Sequence, residues 1–193
     1  MRVIAGSARR LLLMTPPGTN TRPTTDRIKE TLFNMLQPHL GGCRFLDLFA
    51  GSGGIGIEAL SRGAGSACFA DNSADAIRCI KANLEHTHLA DRATVYATDY
   101  LTAISRMKSD RKKFDVVFLD PPYGRGMEEK ALAAMTRDQL LAEDALVVIE
   151  TAIDEELPDL SALGYRLSSI KEYKSNRHLF VKPLGGEEST GQE

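Results

Sequence analysis

The stretch FDVVFLDPPYG, residues 114–124, decides the fold of this 193-residue chain. Its first half is an almost continuous apolar run with β-branched and aromatic residues, which predicts a strand buried on both faces, as in a parallel sheet. Two adjacent prolines then remove the backbone donors that a strand needs, so the strand ends at Asp120. Ligands of open α/β sheets bind at the carboxyl ends of the strands, so an acid and a tyrosine held there by a Pro-Pro hinge are placed for chemistry.

The pattern of strand, loop and helix recurs from residue 43 onward. The apolar runs predict strands at 45–50, 67–71, 93–98, 114–120 and 145–150. Helices are predicted at 54–62, 74–86, 101–108 and 128–140, followed by a short helical segment that ends near Gly164. The ranges 165–173 and 178–182 predict a final antiparallel hairpin. This alternation predicts an α/β fold with a doubly wound, mostly parallel sheet.

The N-terminal part has a different composition. Residues 2–14 alternate loosely, which predicts a short hairpin or extended arm, and 14–23 form a Thr-, Pro- and Gly-rich loop. A helix with Pro23 in its first turn and an end at Pro38 and Gly41-Gly42 is predicted from an apolar stripe. The residues of this stripe are Ile28, Leu32, Phe33, Met35 and Leu36. Residues 1–29 carry a net charge of +5 and the remainder −7, which favours a polyanionic partner that binds from one side.

Composition excludes several classes of protein. An apolar content of 42% and a charged content of 26% are typical of a globular domain. The N-terminus lacks the apolar core of a signal peptide and no apolar run reaches membrane length, so we expect a cytoplasmic protein without a membrane partner. A monomer is expected as well, although no sequence pattern indicates the oligomeric state. The three cysteines form no Cys-x-x-Cys or Cys/His cluster, so neither a disulfide framework nor a metal site is expected. The four histidines lie outside the motifs and are expected to be structural or exposed.

The glycine-rich loop after the first predicted strand indicates a nucleotide site. Gly51, Gly53 and Gly56 have the spacing of the dinucleotide fingerprint, and Asp71 follows at the distance of a ribose-binding acid, so an NAD site remains open. Asp47, beneath the loop, argues against NAD because a carboxylate there repels a pyrophosphate. A carboxylate suits the ammonium and sulfonium of S-adenosylmethionine, whose own carboxylate can use the helix N-terminus.

The predicted residues of the cofactor site come from three consecutive strand ends. Asp99 can accept a hydrogen bond from an adenine amine, and Tyr100 can pack on the ring face. The full set is Asp47, Phe49, Gly51, Ser52, Gly53, Asp71, Asn72, Asp99 and Tyr100.

The motif Asp120-Pro121-Pro122-Tyr123 fits methyl transfer to an exocyclic base amine. Such an amine is a poor nucleophile and needs hydrogen-bond acceptors that stabilise the charge developing on nitrogen. Asp120 supplies a carboxylate, Pro121 supplies a carbonyl, and Tyr123 supplies a face on which a base can stack. A base within structured nucleic acid must be turned out of its helix to reach such a pocket. No metal or covalent nucleophile is required.

Residues 1–183 resemble the bacterial 16S rRNA guanine-N2 methyltransferases, small-subunit methyltransferase D type, within the class I S-adenosylmethionine-dependent enzymes. The resemblance is carried by RVIAG (2–6), RPTTDRIKETLFN (22–34), 47–64 and 114–124. It implies a seven-stranded sheet with a reversed last strand and methylation of guanine N2, at position 966 by family analogy. It also implies a small ribosomal subunit or its assembly intermediate as partner, with the N-terminal arm in the RNA surface. The residues expected there are Arg2, Arg9, Arg10, Arg22, Thr24 and Arg27.

The resemblance divides the chain into a basic arm and helix (1–40), a methyltransferase domain (41–183) and a tail (184–193) that we expect to be disordered. Residues 173–176 depart from the family pattern, in which relatives commonly have a glycine in this turn. A DNA adenine-N6 or protein-glutamine methyltransferase remains an alternative, because the motif at Asp120 suits those acceptors equally. A dehydrogenase is disfavoured by Asp47, and a non-catalytic ribosome-binding factor by the acids present at every expected site.

Overall fold

A seven-stranded sheet forms the centre of the protein. The computed structural model describes residues 1–17 and 26–185. The strands are β1 (Arg44–Asp47), β2 (Ser66–Asp71), β3 (Ala93–Ala97), β4 (Phe114–Leu119), β5 (Leu141–Ala152), β6 (Tyr165–Glu172) and β7 (Asn176–Pro183). Their order is β3-β2-β1-β4-β5-β7-β6, with β1 to β5 parallel and β7 antiparallel to both of its neighbours. The predicted doubly wound, mostly parallel α/β sheet is confirmed.

Helices cover both faces of the sheet. They are α1 (Asp26–Leu40), α2 (Gly54–Ser61), α3 (Ala74–His86), α4 (Tyr100–Ser109) and α5 (Met127–Arg137), with a short 3₁₀ helix at Ala90–Arg92. Apolar residues of α1, α2 and α3 form one core with the sheet, and those of α4 and α5 form the other. Successive strand residues enter opposite cores, as Val116 and Val117 do, which is why the strands read as continuous apolar runs. Within the described ranges, no helix has the length and apolar character needed to cross a membrane.

Two predicted elements differ from the structure. Helix α1 ends at Leu40, directly before the predicted stop at Gly41-Gly42, but it continues through Pro38, which lies exposed in its last turn. The predicted helical segment before Gly164 is absent; residues 153–155 and 160–164 form turns and a bend, and residues 156–159 have no regular structure. Pro158 lacks a backbone donor and limits helical hydrogen bonding to the single turn after Asp159. Residues 186–193 of the predicted disordered tail, and Pro23, lie outside the described residues.

The N-terminal arm is a hairpin packed against the main domain. Arg2 and Leu12 form an antiparallel bridge, which confirms the predicted hairpin. Val3 and Leu13 are buried in the same core as α1, α2 and α3. Residues on both sides of the predicted boundary at residue 40 therefore share one core.

A buried ionic group fastens the arm to α2. The Glu58 carboxylate has no solvent exposure and accepts hydrogen bonds from the amides of Ile4 (2.8 Å) and Ala5 (3.0 Å). It also pairs with Lys29 Nζ at 3.0 Å and Arg62 Nε at 2.8 Å. Burial lowers the pKa of Lys29, although Glu58 opposes this shift. We call Glu58, Lys29, Arg62 and the two amides the Glu58 cluster.

A buried amide joins the arm to the glycine loop. Asn83 Nδ2, on α3, donates to the carbonyl oxygens of Met14 and Ser52, both at 2.9 Å. Asn83 Oδ1 accepts from the Met14 amide at 2.8 Å. Because Ser52 belongs to the predicted cofactor loop, the arm and that loop are held by one side chain.

Candidate active site

Acidic side chains converge at the carboxyl edge of the sheet. In the parallel register, Asp47 at the end of β1 lies opposite Phe69 of β2 and Phe118 of β4. Asp71 ends β2, Asp120 directly follows β4, and Asp99 follows β3 by two residues. The structure therefore brings the four predicted acids to one edge of the sheet, where ligands of open α/β sheets bind.

The backbone of the glycine loop is fixed by two of these acids. Asp47 Oδ2 accepts from the Gly56 amide, and Asp71 Oδ2 accepts from the Gly51 amide, both at 2.9 Å. A Cβ atom on Gly56 would lie 2.3 Å from the Phe69 ring, so only glycine allows α2 to approach β2 this closely. A Cβ atom on Gly51, at φ +53°, would meet no atom within 4 Å, so the loop backbone faces open space there.

Asp47 is less strongly charged than the sequence suggested. Burial raises the pKa of Asp47 to about 7; the Gly56 amide opposes this shift, and the Asp71 charge adds to it. A carboxyl group that is only partly ionised at neutral pH repels a pyrophosphate less than expected. A cation bound nearby would favour its charged form, so the position still suits a cationic ligand.

Aromatic and polar residues border the loop on the side of α4. The rings of Phe49 and Tyr100 are 5.2 Å apart and tilted by 38°. Asp99 caps α4 by accepting from the Thr102 amide at 3.0 Å, and hydrogen bonds to Thr102 lower the pKa of Asp99. Asn72 is exposed after β2. Side chains suited to an aromatic ring and to polar groups therefore lie next to the glycine loop.

The two polar side chains of the Asp120–Tyr123 segment, Asp120 and Tyr123, differ in their hydrogen bonding. Asp120 is partly exposed, and its side chain makes no hydrogen bond to another residue in the ranges 1–17 and 26–185. Its pKa is raised well above the ordinary value by burial, with added effects of the Glu150 and Asp47 charges. Pro121 is buried and Pro122 is exposed. Tyr123 is 45% exposed, and its hydroxyl donates to Glu150 Oε1 at 3.2 Å.

Sequence reasoning missed Glu150 and its partners. Glu150 Oε1 also accepts from Asn176 Nδ2 at 2.6 Å, and Oε2 lies 2.9 Å from His178 Nε2. We call Tyr123, Glu150, Asn176 and His178 the Glu150 network. The sequence did contain a signal for Glu150, because it is an acid within the buried apolar run of β5. Asp47 and Asp71 were predicted from the same kind of signal at the ends of β1 and β2. The histidines were expected to be structural or exposed, and His178 is a buried, structural one.

The turn that departs from the family pattern leads into this network. The Tyr173 amide donates to the Asn176 carbonyl at 2.9 Å, which closes the turn between β6 and β7 without a glycine. Asn176 is then the first residue of β7, with its side chain on Glu150.

The basic residues predicted to bind RNA lie on the arm and on α1. Arg9, Arg10 and Arg27 are exposed, and Arg2 pairs with Asp26 at 2.6 Å. Arg22 and Thr24 lie outside the described residues. In the part of the chain that the structure describes, no group of three or more His, Cys, Asp or Glu side chains could hold a metal ion.

Comparisons with known proteins agree with this arrangement. The family model described as conserved hypothetical protein 95 matches residues 1–181. The chain is 44% identical over 159 residues to "Putative rRNA methyltransferase YlbH" of Bacillus subtilis, covering 82% of this chain and 86% of that protein. It is 36% identical over 162 residues to "Ribosomal RNA small subunit methyltransferase D" of Escherichia coli, covering 84% and 80%.

The solved structures show the same fold. "Putative methyltransferase yhhF from Escherichia coli" superposes with a TM-score of 0.85 at 32% identity and covers 96% of this chain and 98% of its own. A putative methyltransferase complexed with SAH has a TM-score of 0.62 at 14% identity, which shows the fold alone. The resemblance found in the sequence is confirmed, and the chain belongs to the small-subunit rRNA methyltransferase D family, which the family model describes as conserved hypothetical protein 95.

Proposed function

We propose that this protein transfers a methyl group from S-adenosylmethionine to the exocyclic N2 amine of a guanine in 16S rRNA of the small ribosomal subunit. The observation that carries the proposal is the pairing of β1 with β4, which sets the glycine loop beside the Asp120–Tyr123 segment. A donor site and an acceptor site are then neighbours at one sheet edge. The names of the relatives at 36% and 44% identity support rRNA as the acceptor class.

The residues around the glycine loop fit S-adenosylmethionine. The edge offers carboxyl groups to a cationic ligand, open backbone at Gly51, and the neighbouring rings of Phe49 and Tyr100 for an adenine. Asp71 keeps acceptor capacity for ribose hydroxyls, although two backbone amides already bond its oxygens. When bound, S-adenosylmethionine would supply an electrophilic methyl group, whose bond to sulfur breaks to leave the neutral thioether S-adenosylhomocysteine.

Asp120, Pro121 and Tyr123 are proposed to bind the acceptor base and its amine. In this proposal Asp120 accepts a hydrogen bond from the amine and takes the proton that nitrogen loses as the N–C bond forms. Burial raises the pKa of this carboxyl, so it takes up a proton more readily than an exposed aspartate does, which suits a group that accepts one. The Pro121 carbonyl accepts a second hydrogen bond, and the half-exposed Tyr123 ring stacks on the base, a contact that contributes about 1–3 kcal/mol.

The basic arm is proposed to bind the RNA backbone. Arg9, Arg10 and Arg27 are exposed cations on the arm and α1, and phosphate contacts of this kind make affinity fall with salt. A cytoplasmic enzyme that acts on a subunit or its assembly intermediate would use them to orient the rRNA.

The test is nucleoside mass spectrometry after reaction with isotope-labelled S-adenosylmethionine. Small subunits, naked 16S rRNA, DNA and a glutamine-containing protein substrate are offered separately to the wild type and to Asp120→Asn. We expect labelled N2-methylguanosine from rRNA with the wild type, and little or none with the variant at unchanged cofactor affinity. Label in N6-methyladenine of DNA or in glutamine would refute the proposal and support the alternative. Binding without any transfer would indicate a ribosome-binding factor.

A further inference from the structure

We propose that Glu150 and Asn176 are positioning residues that fix the orientation of the Tyr123 ring, an inference that rests on the proposed function. Tyr123 is 45% exposed, so packing alone restrains its ring poorly. Its hydroxyl is tied to Glu150 Oε1 at 3.2 Å. The direction in which the ring presents its face therefore depends on where Glu150 is held.

Glu150 is held rigidly by two other donors. It is only 6% exposed, and Asn176 Nδ2 lies 2.6 Å from the oxygen that also accepts from Tyr123. His178 Nε2 lies 2.9 Å from the second oxygen. Because an ionised carboxylate can only accept, this histidine nitrogen carries the proton and donates it. All three donors thus restrain one buried carboxylate.

The donors are themselves fixed by the sheet. Glu150 and His178 are paired residues of β5 and β7, and Asn176 is two residues before His178, so all three side chains point to one face. The His178 ring has no solvent exposure and packs edge-on against Phe118 and Tyr173, at 5.9 Å and 5.1 Å between ring centroids. The anchor of an exposed ring is therefore part of the core.

The loop that carries Tyr123 is also tied down on its far side. The amide of Gly124 donates to Glu155 Oε1 at 2.8 Å, which fixes the backbone next to Tyr123. With the backbone fixed, the remaining freedom is rotation of the side chain, which the hydroxyl bond restricts. A base stacked on this ring would have its amine directed toward Asp120 without a search for the ring position.

The test is a double-mutant cycle of Tyr123→Phe and Asn176→Ala, which leave the charge of the site unchanged. Each single variant should lower kcat on the order of tenfold to a hundredfold, since small misplacements of reacting groups have effects of this size. The Kd of S-adenosylmethionine should stay within about twofold, because the glycine loop is untouched. The double variant should be no slower than the slower single variant, because both changes release the same ring.

Tyr165→Phe is the matched control. Tyr165 is a buried tyrosine whose hydroxyl donates to the Leu132 carbonyl at 3.1 Å, outside the Glu150 network. This variant should lose stability and keep kcat. If the two single losses in kcat multiply in the double variant, the two residues act independently and the proposal is overturned. An unchanged kcat for Tyr123→Phe would also overturn it. If Asn176→Ala fails to fold, the kcat of Tyr123→Phe decides the question alone. All rates are measured on whichever acceptor the wild type methylates. If that acceptor is not rRNA guanine, the proposed function is refuted, but the double-mutant cycle still tests the role of Glu150 and Asn176.

Discussion

Replacing Glu58 with glutamine should destabilise the protein strongly, because the Glu58 cluster has no access to water. The carboxylate satisfies two cations and two arm amides, and glutamine offers one acceptor oxygen and an NH₂ that faces those donors. Lys29, with no solvent exposure, is left with a buried and uncompensated charge. Breaking one partner of a buried pair costs about 3–5 kcal/mol. For a chain of this size, that corresponds to a fall in Tm of about 6–20 °C.

Urea unfolding followed by circular dichroism measures this loss for Glu58→Gln. Glu85→Gln is the control, because Glu85 is an exposed helix residue on α3 and its replacement should change stability by less than about 0.5 kcal/mol. The variant should also recover stability as the pH rises toward 10.5, the ordinary pKa of lysine. Burial lowers the pKa of folded Lys29, so the folded state releases this proton before the unfolded state does, and stability rises with pH. A loss below 1 kcal/mol, or no recovery at high pH, would show that water reaches the cluster.

Three further predictions concern the glycine loop. Gly56→Ala should cost about 1–3 kcal/mol or more through overlap with Phe69. Gly54→Ala should cost less, because its Cβ overlaps only the flexible end of Met1 and makes an ordinary contact with Ser52; thermal unfolding that fails to separate the two variants would contradict the packing argument. Asp47→Asn should gain stability relative to the wild type by up to about 4 kcal/mol as pH rises from about 4 to 7. The reason is that folded Asp47, with its pKa near 7, holds a proton that the unfolded chain has released; equal stability differences at pH 5 and pH 8 would contradict this. Asn83→Ala should weaken S-adenosylmethionine binding and speed proteolysis of the arm, and calorimetry showing unchanged affinity would separate the arm from the cofactor loop.

Much of the fold was predictable because the strands of a parallel sheet are buried on both faces. Each apolar run ends where the chain reaches the sheet edge, so the acids at 47, 71 and 120 were located together with their strands. Pro38 and residues 153–164 were misjudged for a different reason. At Pro38 the core buries Leu40 in the same helical turn, and at 153–164 Pro158 removes a backbone donor that a longer helix would need.

The parts of the site that were missed depend on pairing between distant segments. Glu150 meets His178 and Asn176 across 26 to 28 residues, and only the antiparallel register of β5 and β7 brings them together. In the sequence, Glu58 is an ordinary acid of a short helix. Only the packing of α1 against α2 brings Lys29 within 3.0 Å of it. Neither relation has a local pattern in the sequence, so single-sequence reasoning found the strand-end acids and not their partners.

The way the arm is attached has a consequence for biosynthesis. Its amides find their acceptors 53 to 69 residues further along the chain, on α2 and α3. A polypeptide emerging from the ribosome therefore exposes apolar Val3 and Leu13 until both helices have left the exit tunnel. Contacts between such widely separated residues form slowly. A nascent chain arrested before α3 has left the exit tunnel should leave this segment open to chaperones and proteases, and the same segment should become resistant once α3 has emerged.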